Sequence, residues 1–213
     1  LPADDAGRVL DRLAGLEQII PPAEIQQALA ATGRINSRRC GLTHEVVLWV
    51  VLARGLLTDL PIRQVFKHAR RLRRGEESPH RSTLCVARQR LGVAPVRHLF
   101  LQVARPLAHP ETPGAFYRGL RLMGSDGTVF DVPDSEDNAA VFARPSAGPR
   151  GAGAFPQVRK LSLVELGTHV EVALVVRSSA HGEQSMIDGL IRHLKSEMLL
   201  LWDRGFFSYE LWQ

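Results

Sequence analysis

Residues 199–208 read LLLWDRGFFS, an apolar run that ends in a single aspartate, Asp203, followed at once by arginine, glycine and two phenylalanines. The compact run Met198 to Trp202 has the length and composition of a central β-strand. A lone aspartate leaving such a strand is often only a turn residue or a helix cap. What favours a chemical role is a second carboxylate in a comparable place. Asp126 supplies it, inside the strand-like segment Arg121 to Val132 (RLMGSDGTVFDV).

Two further segments, Val158 to Leu166 (VRKLSLVEL) and Val170 to Val176 (VEVALVV), alternate or run continuously in β-branched and apolar residues, which predicts strands. Glu183 to Leu194 places Met186, Ile187, Leu190, Ile191 and Leu194 on one helical face. The order predicted for residues 120–213 is therefore strand, strand, strand, helix, strand. In sheets covered by helices, side chains at strand ends converge although they are distant in sequence. The ARPSAGPRGAGAFP stretch, 143–156, is a small-residue loop. Asp131, Asp134, Glu136 and Asp137 read as solvated loop charge, Glu183 as a favourable charge in a helix's first turn, and Phe206 and Phe207 as core.

Upstream the period is helical. Val9, Leu10, Leu13, Leu16 and Ile20 recur at helical spacing, Pro21 and Pro22 interrupt, and Ile25, Ala28 and Leu29 resume the pattern until Gly33. Thr43 is placed to cap a third helix through about Leu57, and Pro61 to open a fourth along IRQVFKHARRL. Ser82 is a cap for TLCVARQRL, which Gly92 ends, and Pro95 begins a sixth helix through Leu107. The expected organisation is α+β: a helical domain over 5–108, a proline- and glycine-rich linker over 109–119, and an α/β domain over 120–213.

At 213 residues and 45% hydrophobic content the chain has enough apolar material for a sizeable core, which excludes a disordered protein. Charge is concentrated: residues 61–109 carry 11 Lys and Arg against Glu76 and Glu77. Such a segment suits a polyanion, because clustered cations replace its condensed counterions. Cys40 and Cys85 are too few for a disulfide framework, and Cys40 with His44 lacks the further ligands of a zinc site. The eight histidines show no ligand spacing. Val46 to Leu57, the longest apolar stretch, is interrupted by Arg54 and falls short of the roughly 20 residues that span a bilayer. No signal peptide opens the chain, and a first residue of Leu rather than Met points to a trimmed or misassigned start. A cytoplasmic protein is expected.

Carboxylates brought together repel, and a divalent cation removes the repulsion. Hard Mg2+ or Mn2+ prefers oxygen ligands and serves phosphodiester cleavage. The glycines in Asp126-Gly127 and Asp203-Arg204-Gly205 leave little bulk beside such an ion.

GSDGTVFDVPDSEDNAAVF (124–142), GAFPQVRKLSLVELGTH (153–169), the HGEQ turn (181–184) and above all MLLLWDRGFFSYELW (198–212) closely resemble transposases of the insertion-sequence type-four family. TLCVARQRLG (83–92) is similar to part of that family's N-terminal domain. The resemblance implies a ribonuclease-H-like core with an Asp, Asp, Glu triad. Asp126 is similar to the first catalytic, metal-binding aspartate and Asp203 to the second. Arg204 is similar to the arginine beside the second aspartate, where it touches DNA phosphate or orients the carboxylate; a structural salt bridge is the alternative. Arg88 and Arg90 match positions suited to the DNA backbone, with a solvated helix face as the alternative. The family's glutamate lies on a later helix, in a motif of Tyr, Arg, Glu and Lys that has no counterpart here. Glu210 lacks the context to replace it, so a C-terminally truncated transposase is expected.

The resemblance thus implies DNA transposition: binding of insertion-element ends and, in a complete protein, strand cleavage and transfer dependent on Mg2+ or Mn2+. Its implied partners are double-stranded DNA, at element ends and target, and further copies of the chain, in a bacterial cytoplasm and on the nucleoid when DNA is bound. The alternative is a catalytically inactive truncated transposase that only binds DNA or inhibits.

Overall fold

Thr43 accepts a hydrogen bond from the Val46 amide at 3.2 Å and caps a helix, α3 (His44–Leu56), that is apolar on most of its circumference. Such a helix has to be buried, and α3 is the centre of the first of two compact units, 1–103 and 104–213. The computed structural model describes residues 13–36, 42–71, 79–145, 153–206 and 208–209. Val9, Leu10, Cys40, Arg73, Arg74, Glu76, Glu77, Phe207 and Glu210 lie outside them.

Around α3 stand α1 (13–19), α2 (Pro22–Ala31), α4 (Ile62–Arg71), α5 (Arg81–Leu91) and α6 (Ala94–Val103). Val47, Leu48 and Trp49 pack with Ile25, Leu29, Leu91 and Leu99, while Val50 and Ala53 pack with Val65, Phe66 and Leu84. Each such fully buried aliphatic side chain contributes about 2 kcal/mol through apolar burial. Along α4 the buried Val65, Phe66 and Ala69 leave Arg63 and Lys67 facing solvent. Arg81, Arg88, Arg90 and Arg97 are exposed too, so these cations of the basic window form surface.

Two helix ends differ from expectation. His80, not Ser82, caps α5: its Nδ1 accepts from the Ser82 amide at 3.4 Å. The sixth helix stops at Val103 instead of Leu107, because Pro106 disfavours helical geometry at Arg105 and the Leu107 and Ala108 amides bond elsewhere. Gly92 ends α5 as expected, at a φ of 73° that glycine adopts without strain.

In the second unit β2 (Leu120–Asp131), β3 (Gln157–Glu165) and β4 (Val170–Ser178) form an antiparallel meander. A short β1 (Phe116–Tyr117) pairs with the start of β2, and β5 (Met198–Leu201) pairs parallel to β2 on the edge away from β3. Residues 108–119 therefore pack with the sheet: Ala108 and Ala115 are buried and β1 adds a strand. The expected continuous helix over Glu183–Leu194 is instead a 3-10 turn, Gln184–Met186, followed by α8 (Asp188–Ile191). Gly189, unfavourable in a helix interior by about 1 kcal/mol, lies so close to Val175 that a Cβ there would overlap it. This close approach seats Met186, Ile187 and Leu190 on Met123, Leu161, Leu163 and Ala173.

A six-residue helix, α7 (Glu136–Val141), stands where loop charge was expected. Ser135 caps it by accepting from the Asn138 amide at 3.3 Å, and Glu136 and Asp137 face the positive end of its dipole. Phe206 is buried as expected. Helices followed by a sheet with a later helix give a mixed architecture consistent with a partial ribonuclease-H-like domain.

Candidate functional site

The chain alternates across the sheet, and this settles which residues can meet. In β5, Met198 and Leu200 pack into the core, as does Trp202 just beyond, where it stacks on Phe206 with ring centroids 5.6 Å apart. Leu199 and Leu201 belong to the opposite face, and Asp203, two residues past the end of the strand, is exposed. In β2, Met123 and Ser125 are buried, whereas Gly124, Asp126 and Thr128 face away from that core. The parallel ladder pairs Gly124 with Leu201, so Asp126 and Asp203 each stand two residues past the same rung.

Both carboxylates are exposed and similarly held. Asp126 Oδ1 accepts from the Gly127 amide at 2.8 Å, and Asp203 Oδ1 from the Gly205 amide at 2.7 Å. Asp203 thereby also caps the short 3-10 turn Arg204–Phe206. Among the described residues neither carboxylate has a cationic partner. Hard carboxylate oxygens without a counterion are the ligand type that hard divalent cations such as Mg2+ and Mn2+ prefer. Among the described residues no three His, Cys, Asp or Glu side chains form a metal-binding group.

Asp126 opens into a cleft of about 410 Å³ lined also by Gly124, Lys160, Ser162, Glu171 and Leu201. Lys160 Nζ forms an ion pair with Glu171 Oε1, and Ser162 Oγ donates to the same oxygen at 2.7 Å. Burial raises the Glu171 pKa, but the bonds from Lys160 and Ser162 outweigh it and hold the carboxyl below its ordinary value. Sequence reading missed these three residues. The reason is a β-bulge: Leu163 pairs with Ala173 but Val164 pairs with Glu171, leaving Val172 as an extra residue. In an unbroken register Glu171 would oppose Glu165, on the other face; the bulge turns it into the cleft.

On the helix-covered side Glu183 is more than a helix-end charge. Its Oε1 pairs with Arg159 Nη1 at 2.6 Å, and the neighbouring Gln184 donates from Nε2 to the Gly205 carbonyl at 2.8 Å. These contacts tie the turn after Asp203 to the segment that precedes α8. Arg204 is exposed and has no carboxylate partner among the described residues. Arg88 and Arg90 are exposed on α5 of the first unit. Two positions apart on a helix, they point about 200° apart and do not share one face.

Residues 10–101 match the family model for the N-terminal domain of insertion element 4 transposases. The chain is 29% identical over 202 residues to transposase InsG for insertion sequence element IS4 of Escherichia coli (strain K12), covering 93% of this chain and 45% of that protein. It is 27% identical over 195 residues to the provisionally named transposase InsZ of the same strain, covering 90% of this chain and 64% of that one. The chain thus spans less than two thirds of either relative. No solved structure matches it. No described helix is long and apolar enough to cross a membrane. The chain's first unit thus resembles the N-terminal domain of insertion element 4 transposases, and over most of its length the chain is similar to two transposases of that kind.

Proposed function

We propose that the chain serves DNA transposition, with a first unit that binds duplex DNA and a second that forms the metal-binding part of a strand-cleaving site. The observation that supports the second half is the Gly124–Leu201 rung, which Asp126 and Asp203 each follow by two residues as exposed carboxylates without a cationic partner among the described residues. The Gly127 and Gly205 amides engage one oxygen of each carboxylate and leave the other oxygen for a cation. A divalent ion held there supplies Lewis acidity for water activation and for the leaving oxygen in phosphodiester cleavage. Arg204, exposed beside Asp203, suits a DNA phosphate.

The first half rests on the basic surface of the helical unit. Arg63, Lys67, Arg81, Arg88, Arg90 and Arg97 all face solvent, where phosphates can replace their hydration. The recognised DNA would be element ends and target, and further copies of the chain would bring two ends together. The competing reading is a module that binds DNA without cleaving it. It is favoured by the lack, among the described residues, of a third carboxylate grouped with the pair.

Calorimetric titration with Mn2+ tests the site. Binding is expected in the wild type and a loss of at least about tenfold in affinity in Asp126→Asn and Asp203→Asn, the effect of removing one charged ligand. Unchanged binding in both variants would remove the metal assignment. A labelled duplex with Mg2+ then separates the readings: cleavage abolished by Asp203→Asn identifies an enzyme, and salt-dependent binding without cleavage identifies the binding module.

A further inference from the structure

The open face around Asp126 contains a cation the metal reading does not use. Lys160 and Ser162 lie two apart on β3, on one face, and Ser162 is the registered neighbour of Asp126 across the β2–β3 ladder. Glu171 arrives on that face through the bulge and binds both of them. The Lys160 ammonium also lies 6.0 Å from the centre of the exposed Phe130 ring, which flanks it on the side away from Glu171. A lysine head group held by one carboxylate oxygen retains two further N–H donors. It is anchored at the floor of an accessible cleft, less than a third of its side chain being exposed.

We infer that Lys160 is a phosphodiester-binding residue of the Asp126 cleft, oriented by Glu171 and Ser162, and that it takes a non-bridging oxygen of a nucleic-acid strand entering that cleft. This rests on the reading of Asp126 and Asp203 as a metal site on nucleic acid, and adds to it the group that grips the substrate. An exposed lysine on a flexible stem would lose more side-chain entropy on binding a phosphate. Here Glu171 and Ser162 have already fixed the ammonium. Glu171 has a second effect of opposite sign, since its negative charge opposes the incoming anion. A glutamine oxygen at position 171 still accepts from Lys160 and Ser162 while the opposing charge is gone, so removing Lys160 and neutralising Glu171 should move phosphodiester affinity in opposite directions. A merely structural ion pair predicts that both changes act alike.

The test uses the 213-residue chain and thymidylyl-thymidine, a probe with one phosphodiester and no terminal phosphate. Binding is followed without metal through the amide resonances of Gly124 and Ser162, and Mn2+ binding is measured separately by calorimetry. Lys160→Ala is expected to weaken the dinucleotide roughly tenfold, the order of one charge-assisted hydrogen bond. Lys160→Arg should retain most of the affinity, and Glu171→Gln should increase it. Mn2+ binding at Asp126 and Asp203 should survive the Lys160 substitutions. Unchanged dinucleotide affinity in Lys160→Ala, or parallel losses in Lys160→Ala and Glu171→Gln, overturns the inference while the Mn2+ titration still reports on the carboxylate pair. Loss of Mn2+ binding in Asp126→Asn with an intact Lys160 effect supports both assignments. Absence of Mn2+ binding in the wild type removes only the metal reading, and absence of dinucleotide binding removes the inference about Lys160.

Discussion

Gly124 pairs with Leu201 in the parallel ladder between β2 and β5, and Asp126 and Asp203 each follow that pair by two residues. Neighbouring strands lie about 4.8 Å apart, so like charges at matching positions repel. In the metal-free protein Asp126→Asn and Asp203→Asn are expected to raise the thermal midpoint slightly, and less at high salt. Asn at 203 can keep accepting from the Gly205 amide, so the cap survives. Mn2+ should raise the wild-type midpoint by binding the native state, and should fail to do so in either variant. Scanning calorimetry with and without Mn2+ checks both; variants that lose stability yet keep the Mn2+ response would contradict the arrangement.

Glu165 is fully buried at the end of β3 and serves as the anchor of the segment that enters the second unit. Its Oε2 accepts from the Leu107 amide at 2.9 Å, from the Ala108 amide at 2.8 Å and from Thr168, while Oε1 pairs with Arg121. Burial raises its pKa, but these bonds outweigh burial and hold it below the ordinary carboxylate value. A depressed native pKa means that stability is fully present above the unfolded-state value and is lost as pH falls through the native one. Acid unfolding of the wild type should therefore include a contribution from this group that Glu165→Gln lacks. At neutral pH Glu165→Gln should cost about 3 kcal/mol, because it removes the buried negative charge that Arg121 pairs with. Urea titrations at neutral and acid pH measure the difference, and an equal loss at both would argue against the linkage.

The elements were legible wherever local pattern decided them. Thr43, Gly92, the alternation of β2 to β4 and the apolar run of β5 give their structures without reference to anything distant. Pairing was not legible in the same way. That Asp126 and Asp203 occupy comparable places could be expected, but the common rung that both follow depends on the β2–β5 register. Glu171 carried no signal in the sequence because a one-residue bulge, invisible in VEVALVV, decides which face it takes, and Lys160 and Ser162 stood out only once it was placed beside them. Arg105 and Pro106 did carry a signal: the proline marks the earlier end of the sixth helix.

Gly127 follows Asp126, and a Cβ built on it would overlap the Glu183 carboxylate that pairs with Arg159. Replacing a strand glycine by alanine ordinarily stabilises slightly, since the unfolded chain loses freedom. Here Glu183 reverses the sign: its side chain must swing away and release Arg159. Gly127→Ala is expected to destabilise by up to about 1 kcal/mol, the order of a partly exposed ion pair. In a Glu183→Ala background the same substitution should be neutral or stabilising. A double-mutant cycle from chemical denaturation reads this coupling, and additivity of the two changes would show that Glu183 is not the obstacle.

Arg88 and Arg90 offer a last contrast, within the helical unit and under the proposal that it binds duplex DNA. A duplex against one side of α5 meets only one of them, because the two point about 200° apart. Arg90 borders a cleft of about 460 Å³ with Asn36, His44, Ser82 and Thr83, whose polar groups can assist a phosphate contact. Arg88 does not line that cleft. Each phosphate contact contributes about 0.9 to the slope of log affinity against log salt. Arg90→Ala should therefore reduce that slope by roughly one, and Arg88→Ala by clearly less. Fluorescence anisotropy of a labelled duplex across a salt series gives both slopes. Equal losses at the two positions would refute one-sided docking on α5, and no loss at Arg90 would move the contact surface to Arg63 and Lys67 on α4.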